Sequence, residues 1–199
     1  MPVSLIGEFL DQHRNTERVL MLIRAQCDAL PCPGPCPQLP ILEAAIGYLN
    51  GFPSLVHHPA EELMLKYAAR RAPSYRPLFA RLARQHHRLL ELEKELARSM
   101  AAARAGDAQA CAAIKQTGMF YCTDYEQHIR TEDAEFLPHV AGWLLPGDWR
   151  EIEAVIAEAP HCPQLKRTDN LYEFLTALAP VTAAGAASGG VRSDRPHSS

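Results

Sequence analysis

The sequence predicts an all-α protein, an up-down-up-down four-helix bundle with a short C-terminal helix and a disordered tail. Apolar residues recur at steps of three and four through four long segments, which is the period of one helix face. Breaks containing proline or glycine separate these segments, and no segment alternates apolar with polar residues as a half-buried strand would. Long helices with short connections favour an antiparallel bundle.

The four long helices are expected at residues 5–30, 41–71, 76–105 and 108–143, and the short fifth helix at 149–157. The first connection, Pro31–Pro40, holds five prolines and one glycine in ten residues and is predicted to be a loop. Inside the second helix, Pro53 and Pro59 each remove a backbone donor, so we expect the helix to kink or restart there. Gly106 and Asp107 predict the end of the third helix and the N-cap of the next.

The predicted domain boundaries follow the change in composition along the chain. Residues 1–160 form the bundle and 161–178 a short C-terminal extension. In residues 179–199 small residues replace large apolar ones, so this segment has too little apolar surface to offset the entropy of ordering. We therefore expect it to be disordered.

Charge and hydropathy argue against two classes of partner. A net charge of −3 gives no electrostatic reason to expect nucleic acid. No apolar run approaches the roughly 20 residues of a membrane span. The N-terminal segment lacks the basic stretch that opens a secretory signal. We expect a cytoplasmic protein with reduced cysteines, and with neither nucleic acid nor a membrane as partner.

Histidine and carboxylate residues cluster, and each of the four long helices carries at least one of these histidines. Three pairs are spaced four residues apart, which places an imidazole and a carboxylate on the same helix face: His57–Glu61, His58–Glu62 and His128–Glu132. On the third helix, His86 shares the apolar arc of Leu89 and Leu90, whereas His87 lies at its edge. His86 is therefore the better candidate to point inward.

The heights of these residues along the bundle predict that they meet. At 1.5 Å per residue, His13 and His86 lie roughly 13 and 16 Å above the starts of the first and third helices. His57 and His128 lie roughly 20 Å before the ends of the second and fourth helices, and the glutamates four residues later roughly 14 Å before them. Those starts and ends share one end of an antiparallel bundle, so all six residues fall in one thin slab.

A buried ring of imidazoles and carboxylates costs free energy unless something satisfies it, and a transition metal does so directly. Two carboxylates with about four histidines exceed the needs of one tetrahedral zinc and suit a pair of six-coordinate irons. The Glu-x-x-His spacing of ferritin-like bundles occurs here only at Glu158–His161, where Pro160 interrupts it. The pattern His-x-x-x-Glu points to a different di-iron family.

The pattern is similar to the hemerythrin-like family, specifically the bacterial proteins with a His-His-Glu cation-binding domain, over about residues 4–157. The resemblance rests on five segments: QHRN (12–15), YLNGFPSLVHHPAEELML (48–65), RQHHRLLELEKEL (84–96), YEQHIRTEDAEFLPH (125–139) and GDWREIE (147–153). VHHPAEE is the most specific, because the family also carries a proline after the paired histidines there.

The resemblance implies two non-haem iron ions and a set of ligands for them, with the two glutamates as bridging carboxylates. These ligands would be His13, His57, Glu61, His86, His128 and Glu132. His58 matches a position that holds an additional ligand in some relatives.

One departure from the oxygen carriers of this family lies on the third helix. Oxygen-carrying hemerythrins place two histidines four residues apart there, whereas Leu90 and Glu91 follow His86 and His87 at that spacing. The sequence therefore does not predict simple reversible oxygen carriage. Asp133 competes with Glu132, because a His-x-x-x-x-Asp spacing also occurs in the carriers.

Several roles stay open at this level. Glu62 is either a hydrogen-bond partner of a ligand or a surface carboxylate, and His87 is more simply a rim residue paired with Glu91. Cys32 and Cys36 suggest either a redox pair or half of a zinc site completed by two further residues, His161 and Cys162. Cys111 and Cys122 are expected to be small buried residues.

Three functions are compatible with the sequence. The first is a non-haem di-iron binding protein that senses or handles oxygen, peroxide, nitric oxide or iron itself. The second is a redox enzyme on the same site, which consumes peroxide or nitric oxide or repairs iron clusters. The third is a metal-free or zinc-loaded helical interaction module. The expected small partner is a diatomic or peroxide ligand, and no protein partner is indicated.

Overall fold

The computed structural model describes residues 2–31, 36, 38–51 and 53–158, the first three as backbone only. These residues form seven α-helices and contain no strand: α1 (Pro2–Asp28), α2 (Leu39–Leu49), α3 (His58–Arg71), α4 (Arg76–Arg104), α5 (Ala110–Thr131), α6 (Leu137–Trp143) and α7 (Pro146–Glu158). A 3-10 turn, Pro73–Tyr75, leads into α4. The predicted extension, the predicted tail, and Cys32, His161 and Cys162 lie outside the described residues.

The predicted all-α bundle is confirmed. Its first leg is α1 and its third is α4, while the second leg joins α2 to α3 and the fourth joins α5 to α6. The predicted fifth helix corresponds to α7.

Two legs contain a π-helical turn, which the sequence analysis did not predict: Pro53–His57 ahead of α3 and Glu132–Phe136 ahead of α6. Each turn is followed two residues later by a proline, Pro59 or Pro138, which has no N–H to continue an α-helical ladder. At the second turn, the N–H of Leu137 bonds to the carbonyl of Glu132, five residues back. Such single π turns occur frequently at functional sites.

The bundle core continues above and below the level of the clustered histidines. Along α1, buried Phe9 precedes His13 and buried Leu20 follows it. Along α4, buried Leu82 and Leu89 flank His86 in the same way. The polar cluster therefore lies inside an apolar bundle, where an unsatisfied polar atom is costly.

The predicted helix α7 packs on the core, and two tryptophans cover this end of the bundle. Trp149 is buried in the cluster that includes Leu5 and Phe9. Trp143 packs on Phe79 with ring centroids 5.4 Å apart.

The cysteines differ from the sequence expectation. Cys36 forms a disulfide with Cys111, which joins the segment after α1 to the start of α5. Their Cα atoms are 6.0 Å apart, within the usual range for such a bond. Cys111 is thus buried as expected but not a free thiol, whereas Cys27 and Cys122 are free and buried.

One stretch of the described chain, Leu39–Arg71, is long and apolar enough to cross a membrane by length and composition alone. The absence of a long uninterrupted apolar run in the sequence had not predicted such a stretch. It is the second leg of the bundle, and it carries His57 and Glu61 buried against the other legs. A core helix of a bundle passes the same test.

Candidate metal centre

All four legs bring a buried histidine to the same level of the bundle. His13 comes from α1, His57 from the end of the first π turn, His86 from α4 and His128 from α5. The Nε2 atoms of His13 and His57 are 3.0 Å apart, and the rings of His86 and His128 have centroids 4.6 Å apart. The structure thus brings together the residues that the height argument placed in one slab.

The inward side chains form two groups, each with potential ligand atoms within 4.8 Å of one another. The first group is His13, His57, Glu61 and Glu132; the second group is His58, Glu61, His86 and His128. Together they contain all seven residues that the sequence analysis selected. Glu61 belongs to both groups, so the arrangement can hold two cations side by side with a carboxylate between them.

The two fully buried glutamates divide their oxygens between the groups. Glu61 places Oε1 2.9 Å from Nε2 of His57 and Oε2 3.5 Å from Nε2 of His86. Glu132 places Oε2 3.4 Å from Nε2 of His13 and Oε1 3.6 Å from Nε2 of His86. A carboxylate with one oxygen toward each group can bridge two metal ions.

Most polar atoms at the centre of the cluster lack a hydrogen bond of suitable geometry. They are both oxygens of Glu61 and of Glu132, Nε2 of His86 and both ring nitrogens of His128. Leaving so many buried polar atoms unsatisfied would cost several kcal/mol, of the order of 1–3 kcal/mol for each. Cations placed among them would remove that cost, so the residues present fit a metal pair.

The outward nitrogens of three histidines are held by side chains around the cluster. Nδ1 of His13 donates to Asp133 at 2.6 Å, and Nδ1 of His86 donates to Glu62 at 2.7 Å. Nδ1 of His57 bonds to the amide oxygen of Gln12. Such contacts orient the rings of metal-binding histidines and leave Nε2 facing inward.

These contacts bear on two alternatives that the sequence left open. Asp133 lies outside the two groups and supports His13, whereas Glu132 is fully buried between them. Glu62 is both half exposed at the surface and a hydrogen-bond partner of His86. His87 is exposed and belongs to neither group, and Glu91 pairs with Lys94.

Protonation differs sharply among the buried imidazoles. Burial lowers the pKa of His13, but its hydrogen bond to Asp133 and its contact with Glu132 outweigh burial and raise it to about 10. Burial also lowers the pKa of His86, and its contacts with Glu132 and Glu61 raise it to about 12. Burial lowers the pKa of His128 to about 4 and holds that of His58 well below its usual range.

Without a metal, the cluster therefore balances its charge with protons. Burial raises the pKa of both glutamates, but the surrounding imidazoles outweigh it and hold the pKa of Glu61 well below the usual value. Two imidazolium ions, His13 and His86, then face two carboxylates. His58 and His128 are neutral, the form in which an imidazole binds a metal.

A cavity of about 320 Å³ reaches the second group from the surface between α3 and α4. His58 and His86 line it, together with Glu93. Leu90 also lines it and is 45% exposed, although the sequence analysis put this residue on the inward arc of α4. The prediction that Leu90 faces inward was wrong, because the cavity exposes this part of the α4 surface to solvent.

Three residues near the cluster were not predicted as part of the site. Gln12 precedes His13 in the quoted segment QHRN, but its contact with His57 depends on how two legs pack. Tyr125 approaches Nε2 of His58 at 3.3 Å through its hydroxyl. The third residue is Glu93, seven positions after His86, a spacing that returns to the same face of a helix and could have signalled it.

Comparison with known proteins agrees with this site. A family model described as the hemerythrin HHE cation-binding domain matches residues 4–140, which include both groups. The chain belongs to the hemerythrin HHE cation-binding family. No curated protein and no solved structure is significantly similar to it.

Proposed function

We propose that this chain is a non-haem di-iron protein that senses or handles a small ligand such as oxygen, peroxide, nitric oxide or iron itself. The observation that carries the proposal is Glu61, a fully buried carboxylate shared by two ligand groups. A single ion would leave one of the two groups unsatisfied. Two ions would engage both.

The type and number of donor atoms favour two iron ions over a single zinc ion or a thiolate-binding metal. Both groups consist of imidazoles and carboxylates, with no cysteine. Nitrogen and oxygen donors in this number suit two six-coordinate ions that keep positions open for a ligand, whereas structural zinc is closed and tetrahedral. A bound iron pair would supply two electrons and open positions for a small molecule.

The chain's own residues would perform the remaining tasks. Gln12, Glu62 and Asp133 hold three imidazoles in orientation. The apolar layer around Phe9, whose ring packs on His57, keeps bulk water from the first group. The cavity beside His58 and His86 gives a small ligand access to the second group.

The second candidate is a redox enzyme that uses the same site to consume peroxide or nitric oxide. The cavity favours it, because turnover needs a route for substrate and product. The third candidate is an interaction module, and it predicts that the purified protein contains zinc or no metal rather than iron.

The test is metal analysis of the native protein, followed by anaerobic reconstitution with ferrous iron. We expect two irons per chain and a change in the optical spectrum when oxygen is added. Glu61→Gln is expected to lose at least one iron, while Glu91→Gln, at a half-exposed position on α4 outside both groups, keeps both. A stoichiometry of one metal, or a native protein that contains only zinc, would overturn the proposal.

A further inference from the structure

Glu93 is a buried carboxyl group that belongs to neither ligand group. It lies on α4 two helical turns after His86, is 6% exposed, and lines the cavity that also contains His58 and His86. Among the described residues, no lysine, arginine or histidine forms an ion pair with it. A buried acid without a cationic partner is costly to keep ionised.

The two hydrogen bonds of Glu93 engage the same carboxyl oxygen. The hydroxyl of Tyr121 donates to Oε1 at 3.0 Å, and the hydroxyl of Ser54 donates to the same oxygen at 3.1 Å. Both donors use one oxygen, which leaves Oε2 to carry a proton. Burial raises the pKa of Glu93, and the two hydrogen bonds offset this only in part.

Two phenols and several groups on the cavity wall surround Glu93. The phenols of Tyr121 and Tyr125, both from α5, have pKa values held well above the usual range by burial. On the cavity wall, His58 and His86 face the candidate metal positions. Glu62 and His87, exposed at the cavity, are the groups nearest solvent.

We propose that Glu93 is the proton donor for the reduction of hydrogen peroxide, or of a small alkyl hydroperoxide, that enters through this cavity. This inference rests on the proposed iron pair, and it selects peroxide from the ligands which that site could handle. Binding of oxygen, nitric oxide or iron consumes no proton, whereas reduction of one peroxide to water by two ferrous ions consumes two. A general acid in the same cavity as the ligand group supplies the first of them.

The step balances with the groups named. A bound ferrous pair would supply the two electrons that break the O–O bond of one hydrogen peroxide, one from each ion, and would be left ferric. Oε2 of Glu93 gives one proton and solvent gives the other, so the two oxygens leave as two waters. The Glu93 carboxylate then regains a proton from solvent through the cavity, past Glu62 and His87.

The first measurement needs no metal. Infrared spectra of the metal-free protein, recorded against pH, should show a carboxylic-acid band that persists to higher pH than that of an ordinary glutamic acid. This band should be missing in Glu93→Gln and present in Glu91→Gln. A Glu93 carboxyl that ionises at or below the ordinary pKa of glutamic acid would overturn the proposal.

The second measurement is single-turnover oxidation of the anaerobic di-ferrous protein by hydrogen peroxide. Glu93→Gln keeps an oxygen that can accept from Tyr121 and Ser54, so we expect its iron content to be unchanged. Its oxidation should be about 100-fold slower, the lower end of general acid catalysis. The parent rate should fall as pH rises through the pKa of Glu93, and Glu93→Gln should lack that fall.

A second variant guards against loss of folding in the first. Tyr121→Phe removes a hydrogen bond that lowers the pKa of Glu93, so the fall in rate should move to higher pH. If both variants keep their iron and have the same rates and pH profiles as the parent protein, the role of Glu93 is overturned, while the proposed iron pair stands. A parent protein that binds no iron pair would instead overturn the proposed function, and with it the peroxide step.

Discussion

Asp133 accepts a hydrogen bond at 2.6 Å from Nδ1 of His13, across the interface between the first and fourth legs of the bundle. The carboxylate is 40% exposed, yet the imidazole that it orients is almost fully buried. The contact fixes Nδ1 as the outward nitrogen of His13 and leaves Nε2 facing His57 and Glu132. Asp133 therefore acts on the candidate metal site through His13.

Replacing Asp133 with Asn should weaken metal binding without abolishing it. The amide removes a negative charge that supports His13, and loss of such a supporting contact costs about 10- to 100-fold in metal affinity. Competition titration with a chelator measures the change. Asp124→Asn, at an aspartate on α5 that pairs with Arg88 on the surface, is the matched control and should leave the affinity unchanged.

Replacing His57 with Ala should abolish the stabilisation that metal gives to the protein. A ligand that binds only the folded state adds about 2.7 kcal/mol at one hundred times its dissociation constant. We expect melting temperatures with metal and with chelator to differ widely in the parent and hardly at all in His57→Ala. His87→Ala, at an exposed histidine of the second group's cavity, should behave as the parent. An equal metal-induced shift in all three proteins would rule out His57 as a ligand.

Much of the site could be predicted because helix geometry is regular. The rise per residue alone placed His13 and His128 at one level, and the i,i+4 spacing placed Glu132 on the same face as His128. An error of one or two residues in a predicted helix end did not affect this prediction. An error of that size moves a side chain by only about 3 Å along the axis.

The rest depended on how the legs pack. The π turn at Glu132–Phe136 adds a residue to one helical turn, and no hydrophobic period in the sequence shows it. Whether Glu132 or Asp133 points inward follows from the rotation of that leg about its own axis. The Cys36–Cys111 disulfide joins residues 75 positions apart, and no local pattern could pair them.

Metal affinity should rise with pH. In the metal-free protein the pKa values of His13 and His86 are raised to about 10 and about 12, so both rings carry an extra proton at neutral pH. Each group contains one of these two rings, and a metal ion must displace its proton to bind Nε2. Below those pKa values, binding of two ions should therefore release about two protons.

A pH indicator in weakly buffered solution measures this release during anaerobic titration with ferrous iron. Apparent affinity for each ion should increase about tenfold per pH unit across the neutral range. His128, whose pKa burial lowers to about 4, contributes no proton there. An affinity independent of pH would show that His13 and His86 are already neutral before metal binds.

The last prediction concerns oxygen. Leu90 stands one turn after His86, where an oxygen carrier of this family has a second histidine, and its side chain is 45% exposed at the cavity. Leu90 cannot bind a metal, so one ion of the proposed pair should keep a position open to water, unless His58 fills it. The cavity brings solvent and protons to that position, and Glu93 lines the same space. A water-accessible pair with an acid nearby favours oxidation over release of intact oxygen.

We expect the di-ferrous protein to react with oxygen and stay di-ferric when oxygen is removed under vacuum. The optical spectrum over repeated cycles of oxygen and vacuum measures this, and Glu91→Gln, outside the cavity, should behave as the parent. Recovery of the di-ferrous spectrum in each cycle would show that reversible binding persists without a histidine at position 90.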